Sequence, residues 1–309
     1  MWGYVYMKNS NFNILTFDGG GLKGALSISI LERIVEEYPD LLNNINMFGG
    51  TSTGSLIALG LAYGVSPKEI KTLYSIENSK YIFHKSYAEM LRPKYENKNL
   101  KETLLSIFPE DLELKDLNKL VMVPSFYIGN EEHSWKPIFY NNMPNSFTKT
   151  SKVVDVAMAS SAAPVFFPTY NCHVDGGIIA TDPSLACIIY SIDSGLKLNY
   201  KNTRLLSIGT GYVYNSIKTD TTEWGAIDWI INKEPDLPII SVTLEGNSQM
   251  SQLFSQKLLG DNYYRLNPKM ERDVAMDDCD SLEYLISLGE NCDIKDAFEW
   301  INKKSFYKN

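Results

Sequence analysis

The stretch that decides the fold is FDGGGLKG, residues 17–24. Four of its eight positions are glycine. It follows an apolar run, FNILTF, and precedes ALSISILERIVEEY, in which Leu31, Ile34, Val35 and Tyr38 recur at helical spacing. A strand turning through glycines into a helix presents backbone N–H groups without intrahelical partners, and such groups bind negative charge. Gly19, Gly21 and Gly24 satisfy G-x-G-x-x-G, the dinucleotide-binding fingerprint. That reading requires an acidic residue at the end of the second strand to hold a ribose. Glu36 and Glu37 fall inside the helical pattern instead, and Ala25 after Gly24 breaks the Walker pattern. The same loop suits the oxyanion of an acyl-transfer intermediate.

Outward from this loop the chain alternates strands and helices. NMFGGTSTGSLIALGLAYG reads as a strand end, a turn and an apolar helix, and Ser66-Pro67-Lys68-Glu69 as a capping box. KLVMVPSFYIG and KPIFYNN read as strands, SKVVDVAMASSAAP as a helix ended by Pro164, and CHVDGG as a strand reaching a turn. DPSLACIIYSIDSG is a helix and TRLLSIGTG a strand; beyond residue 221 the pattern is mainly helical. This order predicts an α/β fold with a mainly parallel sheet covered on both faces. Ligands of such sheets sit at the carboxyl ends of the strands. The three glycine-rich turns, at Gly19–Gly21, Gly50–Gly54 and Gly176–Gly177, are therefore expected to converge on one edge.

GTSTG, residues 50–54, matches G-x-S-x-G, the nucleophile elbow. A serine hydroxyl needs a tight strand-to-helix turn, a base and a helix N-terminus to become a nucleophile. Ser52 stands where that mechanism requires it. For a base the chain offers three histidines, His84, His133 and His173. His84 and His133 lie in polar, loop-like contexts and read as surface residues. His173 shares a strand face with Asp175 and reads as a packed or rim residue. Asp175, in VDGG, stands at a strand end, and its two glycines permit close approach to another turn. A desolvated Asp can take a serine proton directly; an Asp that merely caps the turn fits the same four residues.

Composition narrows the partners. The 309 residues carry a net charge of −8, which argues against nucleic acid and against general attraction to anionic membranes. The four cysteines, Cys172, Cys187, Cys279 and Cys292, have no metal-like spacing and read as thiols in a reducing compartment. The opening MWGYVY lacks a basic n-region, so no secretory signal is expected. LIALGLAYGV, residues 56–65, is too short to cross a bilayer. The expected location is the cytoplasm, with peripheral membrane contact. Residues 80–101 carry basic residues interleaved with Tyr81, Phe83, Tyr87 and Tyr95, a candidate headgroup-facing lid, although an ordinary solvated helix and loop fits the pattern too. Trp224 and Trp229 read as core residues, with anchors at a membrane interface as the alternative. The acidic run Asp277, Asp278 and Asp280 lacks calcium-loop spacing.

Four blocks, DGGGLKG, GTSTG, ASSAAPVFFP and DGGIIATDP, occur in this order and resemble the signature blocks of patatin-like phospholipases. The resemblance covers about residues 12–211, with a helical continuation over 221–305. It implies a three-layer α/β/α sandwich with a helical C-terminal extension, as one domain over residues 10–309. It also implies a lipid acyl hydrolase of the phospholipase A or lysophospholipase type, with a Ser–Asp dyad, no metal and no cofactor. By position, Ser52 is the nucleophile, Asp175 the base, and Gly19, Gly20 and Gly21 the oxyanion loop. Lys23 stands where the motif has a basic residue, and Gly24, Gly50, Gly54, Gly176 and Gly177 complete the motifs. The expected partner is a membrane lipid or lipid aggregate; some members of the family take an unidentified activator as well, and the motifs leave that open for this chain. An acyltransferase or neutral-lipid esterase with the same dyad is the alternative. A nucleotide-binding module using the glycine loop is the alternative of another class.

Overall fold

The computed structural model describes residues 11–85, 92–193, 199–214, 216–232, 235 and 237–308. Its sheet contains β1 (Phe12–Phe17), β2 (Met47–Gly50), β3 (Leu120–Tyr127), β4 (Lys136–Asn141), β5 (His173–Asp175), β6 (Thr203–Ile208) and β7 (Tyr263–Leu266). The spatial order is β4-β3-β2-β1-β6-β7, with β5 also paired to β3. The β1–β2, β2–β3, β1–β6 and β6–β7 pairs are parallel, whereas β4 and β5 run antiparallel to β3.

The helices are α1 (Gly24–Glu37), α2 (Thr53–Tyr63), α3 (Pro67–Lys71), α4 (Ile76–Ile82), α5 (Asn97–Leu105), α6 (Val153–Ser160), α7 (Gly177–Ala180) and α8 (Ser184–Asp193). They continue with α9 (Ala226–Ile230), α10 (Pro238–Leu259), α11 (Leu282–Asn291) and α12 (Lys295–Lys304). The capping box read at Ser66 is present: its Oγ accepts the Glu69 N–H, and the Glu69 carboxylate accepts the Ser66 N–H.

β1 shows why the fold has three layers. All six of its residues are buried, as expected for an interior strand covered on both faces. Side chains alternate across a strand. Leu15 and Phe17 enter the larger core, with Phe48 and Val121 of neighbouring strands and Leu26 and Ile57 of α1 and α2. Phe12 and Ile14 enter a second core, with Met47, Met122, Cys187, Ile188 and Leu259. α1 and α2 therefore cover one face, and α8 and α10 the other. The three-layer α/β/α fold is the one expected.

Two expectations are corrected. The C-terminal stretch is not only helical, because Tyr263–Leu266 adds the parallel edge strand β7 beside β6. Four residues between a 22-residue helix and a loop carry too few alternations to read as a strand. Trp224 and Trp229 are not core residues. Both are partly exposed and pack edge-to-face on each other, with centroids 5.2 Å apart. Among the described residues, no helix is long and apolar enough to cross a membrane.

Candidate active site

The geometry of the site begins on one edge of β3. β4 pairs with residues Met122–Tyr127 on one side. On the other, β2 pairs with Leu120–Met122, and β5 pairs with Ser125–Tyr127. β2 and β5 therefore approach head to head beside Pro124. β2 runs into the Ser52 turn, and β5 ends at Asp175. Two residues 123 positions apart meet because one strand edge is shared between two short strands.

Ser52 has φ 52° and ψ −122°, outside the regions a non-glycine residue prefers. Such strain persists only where the surroundings over-determine the backbone. Here the Ser52 N–H donates to Ser160 Oγ at 3.0 Å, and the Ser52 carbonyl accepts Ser55 Oγ at 2.6 Å. On either side, Thr51 Oγ1 donates to the Ala180 carbonyl at 2.6 Å, and Thr53 Oγ1 lies 2.6 Å from the Tyr74 hydroxyl. The flanking glycines are required by close approach. A Cβ on Gly50 would lie 2.0 Å from the Gly54 carbonyl oxygen, and one on Gly54 2.3 Å from that of Phe17.

Asp175 is buried; its carboxylate accepts the Gly177 N–H at 2.6 Å, and the Ser52 hydroxyl lies near enough to favour its ionised form. Desolvation pushes its pKa up to about 6, against these two neighbours, which favour the ionised form. A carboxyl poised there can exchange a proton near neutral pH.

The glycine loop lies against the same turn. The Gly19 N–H is already donated to the Thr181 carbonyl at 3.0 Å, and the Leu22 N–H to that of Met276 at 2.8 Å. Among the described residues, the N–H groups of Gly20 and Gly21 meet no acceptor. Gly21 has φ 58° and lines the same cleft as Ser52. That cleft, about 720 Å3 including its open mouth, runs among α2, α4, α5 and the turn at 163–167. Leu56, Leu73, Leu100, Leu104, Phe166 and Phe167 make it apolar.

The histidines stay outside this constellation. His173 is bonded through Nε2 to the Tyr140 hydroxyl at 3.0 Å and through Nδ1 to the Asn171 carbonyl at 2.6 Å. Burial lowers its pKa. His84 and His133 are exposed. Lys23 is partly buried, and desolvation draws its ammonium below the ordinary 10.5 against the pull of Asp273 and Glu245. Asp155 accepts the Tyr170 hydroxyl at 2.5 Å. Among the described residues, no group of three or more His, Cys, Asp or Glu could hold a metal ion.

Sequence reasoning missed the support beneath the loop. Asp18, immediately before the glycines, is gripped by both terminal nitrogens of Arg265 on β7, with Nη1···Oδ1 at 2.7 Å. Arg265 Nη1 also lies 3.6 Å from the buried Asp182. Burial pushes Asp18 up to about 7, Arg265 opposes this, and the charge of Asp182 reinforces it. Arg265 stays charged although burial works against it, because two carboxylates share it. The invariable charge of arginine was visible in the sequence; its placement was not, because β7 was not.

The lid reading is corrected in part. Phe83 lines the cleft, and Tyr95 is buried between Phe83 and Phe167. These two rings build the cleft wall rather than face headgroups. Lys94 lies 3.5 Å from Asp277 and over the Phe166 ring. Residues 86–91, Tyr87 among them, lie outside the described residues.

A family profile described as "Patatin-like phospholipase" matches residues 15–188, more than half of the chain, and spans the glycine loop, Ser52 and Asp175. The chain belongs to the patatin-like phospholipase family. As a patatin-like protein it is 31% identical to Protein teg of Priestia megaterium, over 95% of this chain and 99% of that protein. It is 28% identical to Patatin-08 of Solanum tuberosum, over 90% of this chain and 82% of that one. A cGAMP-activated phospholipase of Vibrio cholerae is 32% identical over 59% of this chain and 58% of its own length. The patatin-like membership makes the chain a lipid-hydrolysing enzyme in its coarse class.

Proposed function

We propose that this enzyme cleaves fatty acyl esters of phospholipids or lysophospholipids through a Ser52–Asp175 dyad, as a single domain over residues 10–309. The observation that carries the reading is the strained Ser52 turn at an apolar cleft, with its hydroxyl beside the buried Asp175 carboxyl. Asp175 takes the hydroxyl proton as Ser52 Oγ attacks the ester carbonyl. The N–H groups of Gly20 and Gly21 receive the developing oxyanion; Gly19, with its N–H engaged, shapes the loop. Protonated Asp175 returns the proton to the departing lysolipid or glycerol oxygen. Water then attacks the acyl-enzyme, with Asp175 again as base. The acyl chain occupies the cleft between α4 and α5. The dyad assigns a role to each group without a metal or a cofactor.

The substrate is presented by a membrane or lipid aggregate. The name of the Vibrio relative supports a search for a small-molecule activator. Two measurements test the reading. A fluorophosphonate should label wild-type protein at Ser52 and fail on Ser52→Ala. Mass spectrometry of products from mixed phospholipid vesicles should show fatty acid and lysolipid. Labelling with acyl transfer to another lipid would assign the acyltransferase alternative. Absence of labelling, with nucleotide binding, would assign the nucleotide-binding alternative.

A further inference from the structure

Ser160 is the last residue of α6 and is fully buried. Its hydroxyl does two things at once. Oγ–H donates to the Pro124 carbonyl at 2.7 Å, and Oγ accepts the Ser52 N–H at 3.0 Å. Its backbone carbonyl accepts the Gly176 N–H at 3.1 Å, and two residues on, the Ala162 carbonyl accepts the Asp175 N–H at 2.9 Å. Ser160 therefore touches the peptide of Ser52, the strand beneath it and the loop that carries Asp175.

The place is one the sheet leaves unstitched. Pro124 lies where β2 has stopped pairing with β3 and β5 has not yet begun. A proline offers no N–H to a ladder, and its carbonyl would otherwise be buried without a donor. The Ser160 hydroxyl fills the gap in the ladder. Its remaining lone pairs face the Ser52 N–H, which helix α2 does not use, since Ser52 is the N-cap. The strained φ of Ser52 needs an acceptor at that position, and among the described residues Ser160 Oγ is the one bonded to it.

We propose that Ser160 is a positioning residue, holding the Ser52 turn and the Asp175 loop in the register that joins their side chains. This rests on Ser52 being the nucleophile, as proposed above. Ser160 touches no substrate; it acts through the Ser52 peptide. Displacing a reacting group by about 1 Å costs on the order of a hundredfold in rate, so the hydroxyl matters to rate more than to binding.

The experiment compares wild type, Ser160→Ala and Ser160→Cys in folded protein. Cys keeps the size of the side chain but is a weak donor and acceptor, so it remains testable if the alanine variant does not fold. The readouts are fluorophosphonate labelling rate at Ser52, kcat and KM for a soluble short-chain ester, and the pH dependence of kcat/KM. Labelling and kcat should fall about 10- to 100-fold with KM changed less than about threefold. The apparent pKa of kcat/KM should rise, because the Ser52 hydroxyl that favours the Asp175 carboxylate has swung away. Ser160→Cys should show the same changes, smaller in size. Labelling within threefold of wild type and an unmoved pH profile in either folded variant would overturn the role of Ser160 while leaving Ser52 as nucleophile. Wild-type protein that is never labelled would overturn both.

Discussion

Replacing Asp175 by asparagine is expected to make the protein more stable at alkaline pH, because wild type keeps a charge where solvent cannot reach it. Burial raises the Asp175 pKa from the ordinary 3.8 to about 6 in the folded state. A carboxyl whose folded pKa lies above its unfolded value stabilises the fold fully below the unfolded pKa. That contribution is lost as pH rises through the folded pKa. Each tenfold change in proton affinity is worth about 1.4 kcal/mol, so the whole loss is about 3 kcal/mol by pH 8. About 2 kcal/mol of it falls between pH 4.5 and 8, because at pH 4.5 the unfolded carboxyl is already mostly ionised. The asparagine amide does not titrate, and its oxygen still accepts from the Gly177 N–H. Urea unfolding of both proteins at pH 4.5 and pH 8 gives the comparison. The stability of Asp175→Asn minus that of wild type should increase by about 2 kcal/mol over this range. A difference constant to within about 0.5 kcal/mol would mean that Asp175 is not held against its ionisation, and the basis for its function as a base would go with it.

Three further outcomes follow from the same geometry. For a soluble ester, kcat/KM should rise about tenfold per pH unit below about pH 6 and level off above it, as Asp175 ionises; a flat profile from pH 5 to 8 would exclude it as the base. His173→Ala should lower kcat/KM by less than about tenfold, against roughly 10²–10⁴ for a general base, because both ring nitrogens are bonded away from Ser52; an inactive, folded variant would restore the histidine. Arg265→Met leaves Asp18 and Asp182 buried without their shared cation, and should cost about 3–5 kcal/mol in urea unfolding at pH 8; a change under about 1 kcal/mol would show that Asp18 does not depend on it.

The sheet, its parallel sense and the meeting of three glycine turns were legible because each follows from local pattern. Alternation in FNILTF, a glycine turn and a 3.6-residue period determine a strand-turn-helix unit without reference to the rest of the chain. The turns that carry Ser52 and Asp175 were legible for the same reason, since their neighbours are glycines that a tight turn requires. Arg265 was not, because its meaning depends on a partner 247 positions away and on a four-residue strand. Phe83 and Tyr95 misled because aromatic rings interleaved with lysines have the same composition on a lipid-facing surface and on a cleft wall. Ser160 stood in a motif block, but its work is done by two hydrogen bonds that no spacing reveals.

The pairing of Asp18 with Arg265 sets a timetable for the molecule's birth. β1 is an interior strand, and one of its two neighbours, β6, starts only at Thr203. The strand carrying Arg265 comes later still. At synthesis rates of about 5–20 residues per second, the ribosome needs roughly 10–50 s between the glycine loop and the arginine that anchors it. Throughout that interval Asp18, next to the glycine loop, lacks its buried cation. A chain halted before β7 would lack the anchor however long it lingered near a membrane. The ion pair under the glycine loop thus forms only after β7 has been made.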